Sequence, residues 1–91
     1  MATKRDRLTV IKDILKVIQD NHNSIKPTPL LRYSNLSTQR FNEYLSELIE
    51  KQFIKEDKDK KGRKFYSLTD KGSKYLEKYN VIVGFVDDFD L

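Results

Sequence analysis

The sequence predicts an α+β fold: four helices and one two-stranded hairpin, packed as a single small domain. Three observations carry this. Apolar residues recur at helical spacing in two long stretches, Leu8 to Ile18 and Phe41 to Ile49. Two β-like runs, "FIKE" and "KFYSLT", flank a lysine-rich loop. Beyond them, Tyr75, Leu76, Tyr79 and Ile82 or Val83 return to helical spacing. Ninety-one residues with 37% hydrophobic content fill one core and leave no room for a second. One domain is expected over 1–91, with its core at about 6–83 and an acidic, apolar tail at 84–91.

Helix 1 is expected over about 6–21. Leu8, Ile11, Leu15 and Ile18 suffice for its core face, and Val10, Ile14 and Val17 make the stripe wider than one packing face requires. The surplus is assigned to a second partner, either the last helix or another subunit. "DNHNS" ends the helix with turn-favouring residues. Thr28 before Pro29 reads as an N-cap and first helical position, because Thr accepts an orphan amide bond and Pro lacks the donor left unpaired there. A short helix 2 at about 29–34 follows.

Ser37 is a natural N-cap for helix 3, about 38–51, where Phe41, Tyr44, Leu45, Leu48 and Ile49 fall on one face. The link Asn35-Leu36-Ser37 is short enough to make helices 2 and 3 cross steeply. In the second β-like run Phe65, Ser67 and Thr69 alternate with Tyr66 and Leu68, one set toward the core and the other more exposed. Gly62 supplies a positive-φ turn position, so the runs form a hairpin around a loop at about 57–63. Thr69-Asp70 caps helix 4, and Gly84 is expected to end it.

The charge balance narrows the function classes. Lys and Arg outnumber Asp and Glu by 18 to 14, and three of the acids, Asp87, Asp88 and Asp90, sit in the last five residues. Residues 1–86 thus hold 18 basic side chains against 11 acidic ones, a surplus of 7 that attracts polyanions. Cysteine is absent and His22 stands alone, so zinc and nucleophilic chemistry lack their parts, as do phosphate-cradling glycine loops in a chain with three glycines. No enzyme activity, metal or cofactor is expected. The N-terminal apolar run is broken by charges, unlike a signal peptide, and "VIVGFV" is too short to span a bilayer, so an intracellular, membrane-free protein is expected.

Helix, helix, short turn, helix, hairpin, helix is the order of a winged helix-turn-helix domain. "LSTQRFNEYLSELIEKQFI" followed by "KFYSLTDKGSKYLEKY" resembles the archaeal winged-helix DNA-binding proteins, a class that includes small Sulfolobus chromatin-associated and viral regulators. Leu36-Ser37, Tyr44-Leu45, Leu48, Leu68-Thr69 and Lys71-Gly72 carry the resemblance, which covers about residues 8–80. It implies a small, intracellular DNA-binding protein. Several such proteins extend the last helix into a dimerising coiled coil, and a glycine often precedes their first strand. Here Gln52 holds that place, so the exit from helix 3 must do without that left-handed glycine.

The residues themselves supply a DNA surface. Helix 3 is about 21 Å long by its rise per residue, and its N-terminal side chains suit a major groove. Arg40 suits guanine, Gln39 and Asn42 suit adenine, and Ser37 or Thr38 suits a phosphate at the helix N-terminus, with Glu43 and Ser46 completing the polar face. Glu43 and Glu47 oppose phosphate unless they read cytosine or form i,i+4 pairs, for which Glu47 and Lys51 have the spacing. Lys60, Lys61, Arg63 and Lys64 form a wing for the backbone or minor groove, and Lys4, Arg5 and Arg7 an N-terminal arm. Tyr75, Leu76, Tyr79, Ile82, Val83, Phe85 and Val86, with Val10, Ile14 and Val17, form the expected homodimer contact. The expected partner is double-stranded DNA, bound by a sequence-preferring transcription regulator. The alternatives are a protein-interaction adaptor docked on the transcription machinery and a non-specific architectural DNA-binding protein. The lysine- and isoleucine-rich composition suits an archaeal thermophile or its virus.

Overall fold

The computed structural model describes residues 6–89. Its elements are α1 (Arg7–Asp20), α2 (Pro27–Ser34), α3 (Thr38–Glu50), β1 (Ile54–Lys58), β2 (Lys64–Leu68) and α4 (Asp70–Asp88), which is the α+β order expected. Three helices start on a side-chain cap that satisfies an orphan amide. Asp6 accepts from Thr9 N at 2.8 Å, Ser37 from Arg40 N at 3.2 Å, and Thr69 from Gly72 N at 3.1 Å. α2 differs from expectation: it begins at Pro27 behind Lys26, which makes no side-chain cap bond, and Thr28 lies inside its first turn. The amides of the first four helical positions have no intrahelical partner, so Pro27 and Pro29 both fit there.

α1 packs against α2, α4 and β2 together, and this decides its second stripe. Val10 and Ile14 are 1% and 0% exposed, members of the same core as Ile11, Leu15, Ile18, Leu30, Phe41, Leu45, Leu48 and Ile54. They are therefore not available to a second subunit. A helix with neighbours on three sides needs an apolar arc wider than a surface helix does. Leu76, at 4% exposed, likewise enters the core and leaves the expected dimer contact, whereas Leu8, expected inside, is exposed at the end of α1.

The hairpin is antiparallel, registered from Ile54 opposite Leu68 to Lys58 opposite Lys64. Asp57 and Lys58 belong to β1, so the loop is shorter than expected. β2 also carries a bridge on its other edge: Ile25 N donates to Tyr66 O at 3.0 Å and Tyr66 N to Ile25 O at 2.7 Å. Asn23 Oδ1 accepts from Leu68 N at 2.7 Å. Tyr66 and Leu68 enter the core, but Ser67 of the alternate set is buried too, and its hydroxyl has no hydrogen-bond partner. A buried, unsatisfied hydroxyl costs about 1–3 kcal/mol. Ser67→Ala is accordingly expected to raise stability by about 1 kcal/mol, read as a higher midpoint in urea.

α4 does not stop at Gly84 but continues to Asp88. Gly84 is not among the positive-φ residues, and an interior glycine costs a helix only about 1 kcal/mol, too little to break it without a left-handed cap. The second half of α4 stands clear of the core, and the molecule measures 50 × 29 × 21 Å. No helix among the described residues is long and apolar enough to cross a membrane.

Candidate nucleic-acid interface

Helix α3 turns Phe41, Leu45 and Leu48 inward, leaving Thr38, Gln39, Arg40, Asn42, Glu43 and Ser46 exposed, together with the cap residue Ser37. The Ser37 oxygen accepts from Arg40 N, so its hydroxyl hydrogen is still available to donate. The Arg40 guanidinium lies 6.0 Å from the centre of the Tyr44 ring, along the flank of the helix. The Gln39 amide reaches Glu43 only over 3.4 Å, a weak bond that is readily released. On the same flank as Arg40, Glu47 accepts from Lys51 Nζ at 2.8 Å and from Arg7 of α1. Those bonds, Arg7 first, hold the Glu47 carboxyl down to about 2, against a usual 4.5. Because the folded-state value is the lower one, the tether persists at neutral pH and is lost as pH falls from about 4.5 through about 2.

The wing tip is a built turn. Asp59 N donates to Arg63 O at 2.9 Å, Gly62 N donates to Asp59 O at 3.0 Å, and Gly62 takes φ +79°. That is a reversal closed by two backbone bonds, with Asp at its first position and glycine at its left-handed one, the residues such turns prefer. The Asp59 carboxylate accepts from Lys61 N and Arg63 N, both at 2.9 Å, and pairs with Arg63 Nε at 2.9 Å. The Arg63 amide bond is the largest cause holding the Asp59 carboxyl below its ordinary value. Lys64 lies 3.7 Å from Glu56. Lys60 and Lys61, at the corners of the turn, enter no ion pair among the described residues. Asp59 therefore does more than offset charge: it fixes the loop that presents two unpaired lysines. Asp59→Ala is expected to speed amide hydrogen exchange at Lys61 and Arg63 roughly five- to tenfold, the loss of about one hydrogen bond each.

The base of the wing is sewn to the end of α3. Gln52 adopts φ +67°, so the exit from α3 keeps the left-handed conformation without a glycine, at the cost of about 1–2 kcal/mol for a side chain in that conformation. The Thr69 hydroxyl donates to Gln52 O at 2.5 Å, Thr69 N donates to Phe53 O at 3.2 Å, and Lys71 Nζ donates to Lys51 O at 2.8 Å over the Phe53 ring. Lys71 thereby satisfies a carbonyl that the end of α3 leaves unpaired. The chain on either side of the hairpin, at 51–53 and 69–72, is thus fixed to itself, and the wing leaves the helix at a set angle.

A family model described as winged helix-turn-helix matches residues 4–84, nearly the whole chain. The chain belongs to that family. Among solved structures, this winged helix is similar to the DNA-binding protein Sso10a-2 of Sulfolobus solfataricus, with TM-score 0.74, 16% identity, and coverage of 93% of this chain and 85% of that one. It is also similar to F93 of STIV, a winged-helix DNA-binding protein, with TM-score 0.72, 23% identity, and coverage of 88% of this chain and 91% of that one. SSV1 F-93 aligns with TM-score 0.70, 24% identity, and coverage of 98% and 99%. No curated protein matches the sequence.

Within the winged helix, the residues nominated on α3 and on the turn are all on the surface. Lys4 and Arg5 of the expected arm lie outside the described residues, while Arg7 turns back onto Glu47. Sequence reading missed the structural roles of Asp59 and Lys71. Asp59 three residues before Gly62 was a turn signal in its own right. The role of Lys71 depends on where α3 ends, and no local pattern shows that.

Proposed function

We propose that this winged helix is a sequence-preferring double-stranded DNA-binding protein, acting inside an archaeal or archaeal viral context as a small transcription regulator. Helix α3 enters the major groove, with Arg40 on guanine, Gln39 and Asn42 on adenine, and Ser37 and Thr38 on a phosphate. Lys60 and Lys61 lie along the neighbouring backbone or minor groove, joined by Arg63 and Lys64 when their ion pairs exchange for phosphate. Surface pairs of this kind are weak enough to exchange. The observation that carries the reading is the clamp between 51–53 and 69–72, which ties the lysine-bearing turn to the helix whose polar face is open. Competition binding with random and selected duplexes tests it. A regulator prefers one sequence by roughly 10³-fold or more, an architectural protein binds both alike, and a protein adaptor binds neither.

We assign the subunit contact to the outer half of α4. Ile82, Phe85, Val86 and Phe89 recur at i, i+3, i+4 and i+7, and Ile82, Phe85 and Phe89 are 60%, 56% and 64% exposed. Val83 and the exposed Leu8 extend this face, while Tyr75 and Tyr79 stand at its inner edge. Those two tyrosines are partly engaged by α1, through Tyr75 Oη to Leu8 O at 2.9 Å and Tyr79 Oη with Thr9 Oγ1 at 3.1 Å. An apolar seam this regular on a free helix suits a second copy of the same helix. Two α3 helices about 34 Å apart would then read a palindromic site. Phe85→Glu is expected to convert a dimer to a monomer in sedimentation at micromolar concentration, with the helical content retained. A wild-type monomer under those conditions would contradict the assignment.

A further inference from the structure

The Arg7–Glu47 pair joins the first turn of α1 to the DNA-facing helix, and no reading of α3 alone requires it. Glu47 is one of three acids of α3, with Glu43 and Glu50, and lies roughly 10 Å along the axis from Arg40, about one Debye length at ordinary ionic strength. The phosphates that border the groove entered by Arg40 therefore feel the Glu47 charge unless something cancels it. Two cations do: Lys51 from the same helix and Arg7 from 40 residues away in sequence. Arg7 also stacks toward Tyr44, its guanidinium 5.9 Å from the ring centre, opposite in sequence to Arg40 at 6.0 Å. Arg7, Arg40, Glu43, Tyr44 and Glu47 together line a cleft of about 220 Å³ on this flank.

We infer that Arg7 is a positioning residue for DNA binding: it neutralises Glu47 and steadies Tyr44, so that the Arg40 flank of α3 can approach the duplex. The inference rests on the DNA-binding reading above. Arg7 need not touch the duplex, and its partner Glu47 is the group through which it acts. With a side chain about half exposed, Arg7 in this surface pair contributes little to folding. Its effect should therefore appear in binding and not in unfolding.

The test is a charge-rescue cycle in the full chain: wild type, Arg7→Ala, Glu47→Gln and the double variant, each titrated with one duplex at low and at moderate salt, and each melted. Arg7→Ala is expected to weaken binding roughly five- to tenfold at low salt and less at moderate salt, since an uncovered charge is screened. Glu47→Gln alone is expected to bind at least as well as wild type, and the double variant to recover to within about twofold of it, with all four melting alike. A double variant as weak as Arg7→Ala would overturn the inference, because Arg7 would then be a direct phosphate ligand. Arg7→Ala binding like wild type would overturn it as well. Failure of the wild type to bind any duplex would instead reject the DNA-binding reading, and this inference with it.

Discussion

Gly72→Ala should unfold this domain roughly 10–20 °C below the wild type, the equivalent of about 3 kcal/mol in a chain of this length. A Cβ added at Gly72 would sit 2.3 Å from the Phe53 carbonyl oxygen and 3.3 Å from its carbon. These are backbone atoms, so no rotamer change relieves the overlap. The same oxygen accepts Thr69 N, and the neighbouring Gln52 carbonyl accepts the Thr69 hydroxyl, so retreat of residues 52–53 breaks two further bonds. The first turn of α4 therefore presses on the exit from α3 only because residue 72 has no side chain. Thermal melts of the two proteins check this. A shift below about 3 °C would mean that the clamp is loose and that the wing is not held at a set angle.

Removal of the cations that face outward should have the largest effect on binding. Arg40→Ala is expected to lower affinity for the preferred duplex by about 1–3 kcal/mol, close to tenfold or hundredfold, while leaving binding to random duplex nearly unchanged. Lys60→Ala/Lys61→Ala is expected to weaken binding to every duplex alike. For about five phosphates neutralised per subunit, log affinity falls with log salt at a slope near −4 to −5, and the lysine double variant should lose about 2 from that slope. Combining the three substitutions should give nearly additive losses, because Arg40 on α3 and the lysines on the turn share no partner. Filter binding across a salt series, on preferred and random duplexes, separates the two effects. An unchanged slope in the lysine variant would remove the wing from the interface.

Much of this was legible in the residues. Ser37 followed by Phe41, Tyr44, Leu45 and Leu48 defined α3 to within one residue, because cap and periodicity agree there. Gly62 marked the hairpin for the same reason. The failures were of three physical kinds. Which neighbour covers a stripe is a tertiary fact, so Val10 and Ile14 read as spare although α2, α4 and β2 enclose α1. A breaker acts only in context: Gly84 ends nothing in α4, and Pro27 took the position read for Pro29. Single-residue pairings have no period, so the Ile25 bridge to Tyr66 left no trace in the sequence. The candidate surface was legible as a set of exposed cations, but the ion pairs that tie down Arg63 and bring Arg7 to Glu47 depend on the fold.

The central claim is that the polar side of α3 and the lysine-bearing turn meet one duplex together. Amide chemical-shift mapping during titration with a duplex of about 20 base pairs, long enough for two turns of the helix, tests it most directly. The account predicts that amides at Ser37 to Glu43 and at Lys60 to Lys64 shift together, with a common midpoint, while those of Leu15 and Leu48 stay in place. Shifts confined to one of the two segments, or two segments with separate midpoints, would contradict it.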